Sequence, residues 1–265
     1  HKFLESALAA DPRNPDVLLA RVQMSIERGG FTEASAAIEH GLQQMPDNVY
    51  WRSRAIALFQ QCGAQSDAIK AARGGVEVYP RGAYLWLLLG RTLNDMRQFA
   101  EVGEIEACLR RSLRFNGGLF EAADLLSILL TEQRRFDDAN RVMREIEGKM
   151  PDPSPAWGRL AWLQRCQGRQ KEARSDLSKA VAARPWYAWG WNVLIQWLNE
   201  DKQWGESLQL LKAIPSPMFT QTTFRLERLQ LLKKAGLEQA QLDAEWDALL
   251  RDFPEDVTLC VRRYD

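Results

Sequence analysis

Residues 15 to 46 read PDVLLARVQMSIERGGFTEASAAIEHGLQQMP. Val17, Leu18, Val22 and Ile26 recur at the spacing of one helix face, Arg28-Gly29-Gly30 interrupts, and Phe31, Ala34, Ile38 and Leu42 resume the same spacing. Two amphipathic helices joined by so short a break form an antiparallel hairpin. Pro46 closes the stretch, because a proline past a helix end cannot continue that helix.

Working outward, the closing proline returns at a fixed interval. Pro12, Pro46 and Pro80 are 34 residues apart, and so are Pro151 and Pro185. Each follows the tail of an apolar-periodic segment: ALAADP, GLQQMP, GVEVYP, IEGKMP and AVAARP. The mid-unit break also returns, as Cys62-Gly63, Arg97-Gln98-Phe99, Arg134-Arg135-Phe136, Gln167-Gly168-Arg169 and Lys202-Gln203-Trp204. A period of this length is the signature of a helical-repeat array.

The residues inside each period sharpen this. WLLLGRTLNDMRQF supplies Trp86, Leu89, Gly90 and Phe99, and WGRLAWLQRCQGRQKEARSDLSKAVAARP supplies Trp157, Leu160, Ala161, Ala173, Leu177, Ala180 and Pro185. In these places the chain resembles the tetratricopeptide repeat (TPR), whose 34-residue unit has an aromatic, a Leu-Gly pair, then Ala, Phe, Ala and a terminal Pro. The resemblance implies an all-α fold, a right-handed α-solenoid of stacked antiparallel helix hairpins.

Laid along the chain, the period gives one array over 1–265. It starts with the last helix of a truncated repeat at 1–14. Repeats follow at 15–48, 49–82, 83–119, 120–153, 154–187, 188–217 and 218–256, with the start of a further helix at 257–265. The third repeat carries about three extra residues around FAEVGEIEACLRRSLRFNGG, and Pro215 and Pro217 stop the second helix of the sixth about a turn short. Because each hairpin buries its apolar faces only against its neighbours, uncapped ends are costly. Ends that fall inside repeats therefore suggest a piece of a longer protein.

Composition excludes several function classes. The 265 residues carry 35 basic and 35 acidic side chains, so no global field draws the chain to nucleic acid or an anionic membrane. No run of about 18 apolar residues suggests a membrane span, and the first residues lack a leader pattern. Cys62, Cys108, Cys166 and Cys260 are too widely spaced for a zinc site or a disulfide scaffold, and they read as mostly buried thiols. That usage favours the reducing cytoplasm, with the periplasm as the other compartment. Only His1 and His40 are histidines, which leaves no His-based triad or metal site. The expectation is no catalytic residue, no metal and no cofactor.

The TPR resemblance implies that ligands lie against the first helix of each hairpin, at positions 2, 5, 6, 9, 12 and 13. The third repeat places Tyr84, Arg91 and Asn94 there, the fifth Arg159, Trp162 and Arg165, and the sixth Trp189, Asn192, Gln196 and Asn199. Asn and Gln can bond the backbone amides of an extended segment, Arg can pair with carboxylates, and aromatic faces supply buried anchors. These ten residues are the candidate concave partner-binding set. The Lys and Asn clamp with which some TPR arrays hold a C-terminal carboxylate is not reproduced.

Residues 184–204, RPWYAWGWNVLIQWLNEDKQW, hold five of the ten tryptophans. Helical phase makes Trp191 core and sets Trp204 at the interhelix break. Trp186, in the linker, is expected to pack between adjacent repeats, Trp197 stays unassigned, and Trp189 points into the groove.

The leading expectation is a non-catalytic protein-protein interaction scaffold that binds a peptide or folded partner in its groove. The alternative is the substrate-recruiting domain of a larger enzyme, such as a glycosyltransferase or another protein-modifying enzyme, or of an envelope polysaccharide or secretion apparatus. On that alternative, other domains of the parent chain are partners too, and the tryptophans could stack sugar rings. RNA binding and a prenyltransferase-type hairpin are minor readings, opposed by the charge balance and the proline-closed period.

Overall fold

A computed structural model describes residues 13–96, 101–215, 222–234 and 238–254, with Leu4, Ser6, Ala7, Ala10, Asp11, Gly236 and Leu259. Among these residues there are fourteen helices and no strand. Pro12, the Arg97-Gln98-Phe99 break, Pro217 and the helix expected at 257–265 lie outside the described residues, apart from Leu259.

The chain divides into two compact units, His1–Met150 and Pro151–Asp265. In the first, α1 (Pro15–Glu27) pairs with α2 (Phe31–Gln44), α3 (Val49–Gln61) with α4 (Gln65–Val78), α5 (Ala83–Asp95) with α6 (Val102–Phe115), and α7 (Phe120–Glu132) with α8 (Phe136–Glu147). Each hairpin also packs on the next, and the first helices touch in series, α1 on α3, α3 on α5 and α5 on α7. In the second unit, α9 (Ser154–Cys166) pairs with α10 (Gln170–Ala183) and α11 (Ala188–Glu200) with α12 (Trp204–Ala213). There α13 (Thr222–Lys234) packs on both α12 and α14 (Gln239–Asp252).

First helices begin at residues 15, 49, 83, 120, 154, 188 and 222, so every interval but one is 34 residues. The exception is three longer. Since α6 keeps the 14 residues usual for a second helix, the extra three fall before Val102. At α12 the helix has only 10 residues and stops ahead of Pro215.

Two local devices set this register. The first ends six of the seven leading helices. Residues 29, 63, 134, 168, 202 and 236, all at the break between paired helices, have positive φ. Around five of them the N–H of the next residue bonds back five residues: Gly30 to Ser25, Ala64 to Phe59, Arg135 to Leu130, Arg169 to Gln164 and Gln203 to Leu198. This is a Schellman closure, which satisfies orphan carbonyls at a helix end. Glycine tolerates the left-handed conformation at Gly29, Gly63, Gly168 and Gly236, whereas Arg134 and Lys202 adopt it at φ 60° and 58°.

The second device ties three of the proline turns to the helix that follows. Trp86 Nε1 donates to the Pro80 carbonyl and Trp191 Nε1 to the Pro185 carbonyl, both at 2.8 Å. Arg52 Nε makes the equivalent bond to Pro46 at 2.6 Å. Asn14 and Asn48 cap α1 and α3 through their side-chain oxygens.

Within the first unit the core contains Trp51, Phe59, Leu87, Leu93, Leu109 and Leu126, all nearly inaccessible. Within the second it gathers Leu177, Val181, Trp191, Leu194, Ile195 and Trp197. Trp197 is therefore a core residue, while Trp204 is partly buried against the same cluster. Trp186 differs from the sequence expectation. It is 56% exposed, because the turn after Pro185 directs the following Tyr187, and not the tryptophan, against α9.

Candidate functional site

Six of the seven candidate residues in the second unit bracket one face made by α9, α11 and α13. On α9, Arg159 and Trp162 are three positions apart, so they share a helix face. The Arg159 guanidinium carbon lies 4.8 Å from the Trp162 ring centroid and 5.8 Å from that of Trp189 on α11. Both distances suit cation–π attraction. Tyr187 extends this aromatic platform, its ring 5.7 Å from that of Trp189 and tilted 34° to it. Gly158 permits the approach. A Cβ there would overlap the Tyr187 hydroxyl and crowd the Trp189 ring.

Further along α11, Asn192 and Gln196 are exposed one turn apart. With Ile195, Asn199 and Glu200 they form one wall of a groove of about 480 Å³, and Glu227 and Lys234 of α13 form the other. Asn199 Nδ2 donates to Glu227 Oε1 at 2.5 Å, and Ser207 Oγ donates to Asn199 Oδ1 at 3.0 Å. Gln196 Nε2 donates to Glu200 Oε1 at 2.9 Å. The lysine amine of Lys234 stands 5.0 Å from the Trp204 ring centroid.

Arg165 has a different setting from the rest of the set. Its guanidinium donates to Glu200 at 2.8 Å and to Asp201 at 3.2 Å, and sits 5.4 Å from the Trp197 ring. Burial opposes its charge, but the bonds it donates to Asp201 and Glu200 outweigh that and hold its pKa above the ordinary arginine value. Asp201 is shared with Arg174, 3.4 Å away. This network ties the hairpin α9–α10 to the hairpin α11–α12. Arg165 is thereby engaged inside the molecule.

In the first unit, Tyr84 is exposed beside a mostly apolar hollow of about 630 Å³ that includes Val49, Val78 and Pro80. Arg91 on α5 pairs with Glu121 on α7 at 2.9 Å, another bond between hairpins. Asn94 is half-buried on the same helix. A larger hollow, about 830 Å³, lies elsewhere, between the second helices α2 and α4. Its lining mixes Glu39, Asp67 and Glu77 with Arg52, Lys70 and Arg73, charges of both signs that set no theme.

Tyr187, Glu227 and Lys234 escape the sequence reading. Placing the seventh repeat at 218 shifts Glu227 out of a groove position. Continuing the 34-residue step from Ala188 to Thr222 would have put it at position 6. The thiols also differ from expectation, since Cys108 is buried, Cys62 is partly exposed and Cys166 is exposed, while Cys260 lies outside the described residues. Among the described residues no three His, Cys, Asp or Glu side chains converge as a metal site. None of the described helices is long and apolar enough to cross a membrane.

No family model and no curated protein matches the chain. Solved structures do. A tetratricopeptide repeat protein from Parabacteroides merdae aligns over 92% of this chain and 95% of its own, with a TM-score of 0.56 at 10% identity. A thermophilic TPR protein from Thermus thermophilus aligns over 70% and 99%, with a TM-score of 0.52 at 16% identity. The chain has the tetratricopeptide-repeat fold. Pseudomonas aeruginosa pilF is similar as well, over 82% of this chain and 96% of its own, at a TM-score of 0.55 and 14% identity. Identities this low speak to the fold alone. Within this fold the platform and the groove both stand on first helices, α9, α11 and α13.

Proposed function

We propose that the chain is a non-catalytic TPR scaffold that binds a peptide or peptide-like segment of a protein partner on the α9–α11–α13 face. The observation that carries the reading is the continuity of an aromatic platform, Trp162 and Trp189 with Arg159, into a groove edged by exposed amides, Asn192 and Gln196. Aromatic rings provide anchor area at low entropic cost, and side-chain amides can satisfy both donors and acceptors of an extended backbone. Arg159, Trp162, Trp189, Asn192 and Gln196 are the contact residues on this reading. Arg165, Arg91 and Asn199 instead hold neighbouring hairpins in register.

Affinity capture of partners from a lysate, repeated with Trp162→Ala and Trp189→Ala, tests it. Partners retained by the native chain should be lost from both variants while their helical content stays native. Undiminished capture by both variants would exclude this face.

A further inference from the structure

The ligand's chemistry can be taken further, on the reading just proposed. The groove between α11 and α13 has a direction. Along α11, Asn192 and Gln196 are four residues apart, about 6 Å at 1.5 Å per residue. An extended chain repeats its same-side backbone groups every two residues, at roughly 6.6 Å. The two amides therefore match successive backbone positions of a strand lying along the helix. A peptide in β conformation suits this wall, whereas a helical one has its backbone N–H and C=O groups already bonded within itself.

The two ends of the groove differ. At one end is Trp189, about 15 Å along α11 from Asn199 by the same helical rise. At the other, Asn199 meets Glu227, a half-buried carboxylate that receives a hydrogen bond from that neutral amide. Glu200 lies beside it, already shared between Arg165 and Gln196. Among the described residues Lys234 is the only cation lining the groove, and it leans on the Trp204 ring. Glu227 is seven residues from it on α13, about 10 Å away along the helix. A charged carboxylate held at a groove edge gains most from a ligand ammonium or guanidinium, which makes charge-assisted bonds of about twice the neutral strength.

We infer that the groove takes an extended peptide with an apolar or aromatic side chain on the Trp162–Trp189 platform and a lysine or arginine four residues away at Glu227. Four residues of strand span about 13 Å and return the second side chain to the same face as the first. The remaining couple of ångströms lie within the reach of a long basic side chain. Spacings of three or five would turn that side chain to the opposite face.

Synthetic fluorescent decapeptides with one leucine and one lysine at spacings of three, four and five, and matched peptides with glutamine for the lysine, provide the probe. Fluorescence polarisation should show tightest binding at spacing four, with about a tenfold advantage over the glutamine peptide, the factor expected for one charge-assisted bond. Glu227→Gln keeps an acceptor for Asn199 and should abolish that advantage without altering binding of the glutamine peptide. Equal binding of lysine and glutamine peptides, or a lysine preference that survives Glu227→Gln, overturns the inference. If such peptides still depend on Trp162 and Trp189, the groove reading stands alone. No peptide binding, or displacement of bound peptide by neutral oligosaccharides, would sink both.

Discussion

Arg134 and Lys202 occupy backbone positions where four other repeats have glycine. A side chain in the left-handed region costs about 1–2 kcal/mol, part of which glycine forfeits through the larger entropy of its unfolded chain. Arg134→Gly and Lys202→Gly should each stabilise the protein, by about 0.5–1 kcal/mol, measured as a higher midpoint in urea unfolding. The converse, Gly63→Ala, should lower the midpoint by a similar amount. A drop with either glycine variant would mean that the arginine or lysine side chain contributes more than its backbone costs. Cys108 offers a second test at this scale. Burial, with a smaller contribution from Glu104 and against the pull of Arg111 and Arg73, pushes its thiol up to about 11. Native protein at pH 8 should alkylate at Cys166 well before Cys108, with Cys108 reacting only as the fold opens, as peptide mass spectrometry would report. Simultaneous labelling of the two would deny that Cys108 is sealed.

Between elements, ion pairs link neighbouring segments, from one hairpin to the next at Glu106 and across the ends of a single hairpin at Asp152, and these two carboxylates make the links sensitive to acid. Glu106 on α6 is drawn up in pKa by burial, but hydrogen bonds from Arg135 and Arg110 prevail and hold it below its ordinary value. Asp152 is held low by the hydroxyl and N–H of Ser154, with Arg184 assisting. A depressed carboxyl contributes stability above its unfolded pKa and loses it as the pH falls through the folded one. Stability should therefore be level from pH 7 to about 5 and decline below about 4.5. Glu106→Gln should cost about 1 kcal/mol at pH 7, and its deficit relative to the native chain should shrink as the pH approaches 3. A deficit that stayed constant across that range would show that the pairs with Arg135 and Arg110 do not carry it. The same links explain what the sequence could and could not show. Arg159, Trp162 and Trp189 come together because one helix phase and one repeat step place them, and both are periodic quantities. The fate of Arg165 depends on Asp201 and Glu200 in the next hairpin, and that of Arg91 on Glu121, pairings set by how adjacent helices tilt. Tilt leaves no period in the sequence. Glu227 is a different case, since the 34-residue step from Ala188 to Thr222 does reach it, and only a frame started at 218, beyond the proline that follows the short α12, misses it.

At the scale of the molecule, a repeat array should respond to damage locally. Within the second unit, Leu177 on α10 is fully buried among residues of α10, α11 and α12, and α13 contributes to the same cluster through Leu231. Leu229 and Leu249 belong to a separate cluster with Leu259, formed around α13 and α14. Each hairpin owes its stability to its own pairing and to its immediate neighbours, so a cavity should open the nearest elements first. Leu177→Ala, at a cost of about 2–5 kcal/mol, should accelerate amide exchange across α9, α10 and α11. The amides of α14 should exchange at nearly the native rate, since α14 packs on α13 and not on the damaged hairpin. Hydrogen exchange followed by mass spectrometry separates these segments. Equal acceleration from α9 through α14 would mean that the unit opens as one cooperative body, and then the groove between α11 and α13 would be lost whenever any one of its hairpins fails. A graded response would instead leave α13 folded while α9 opens, so that Glu227 keeps its place after the Trp162 platform has gone.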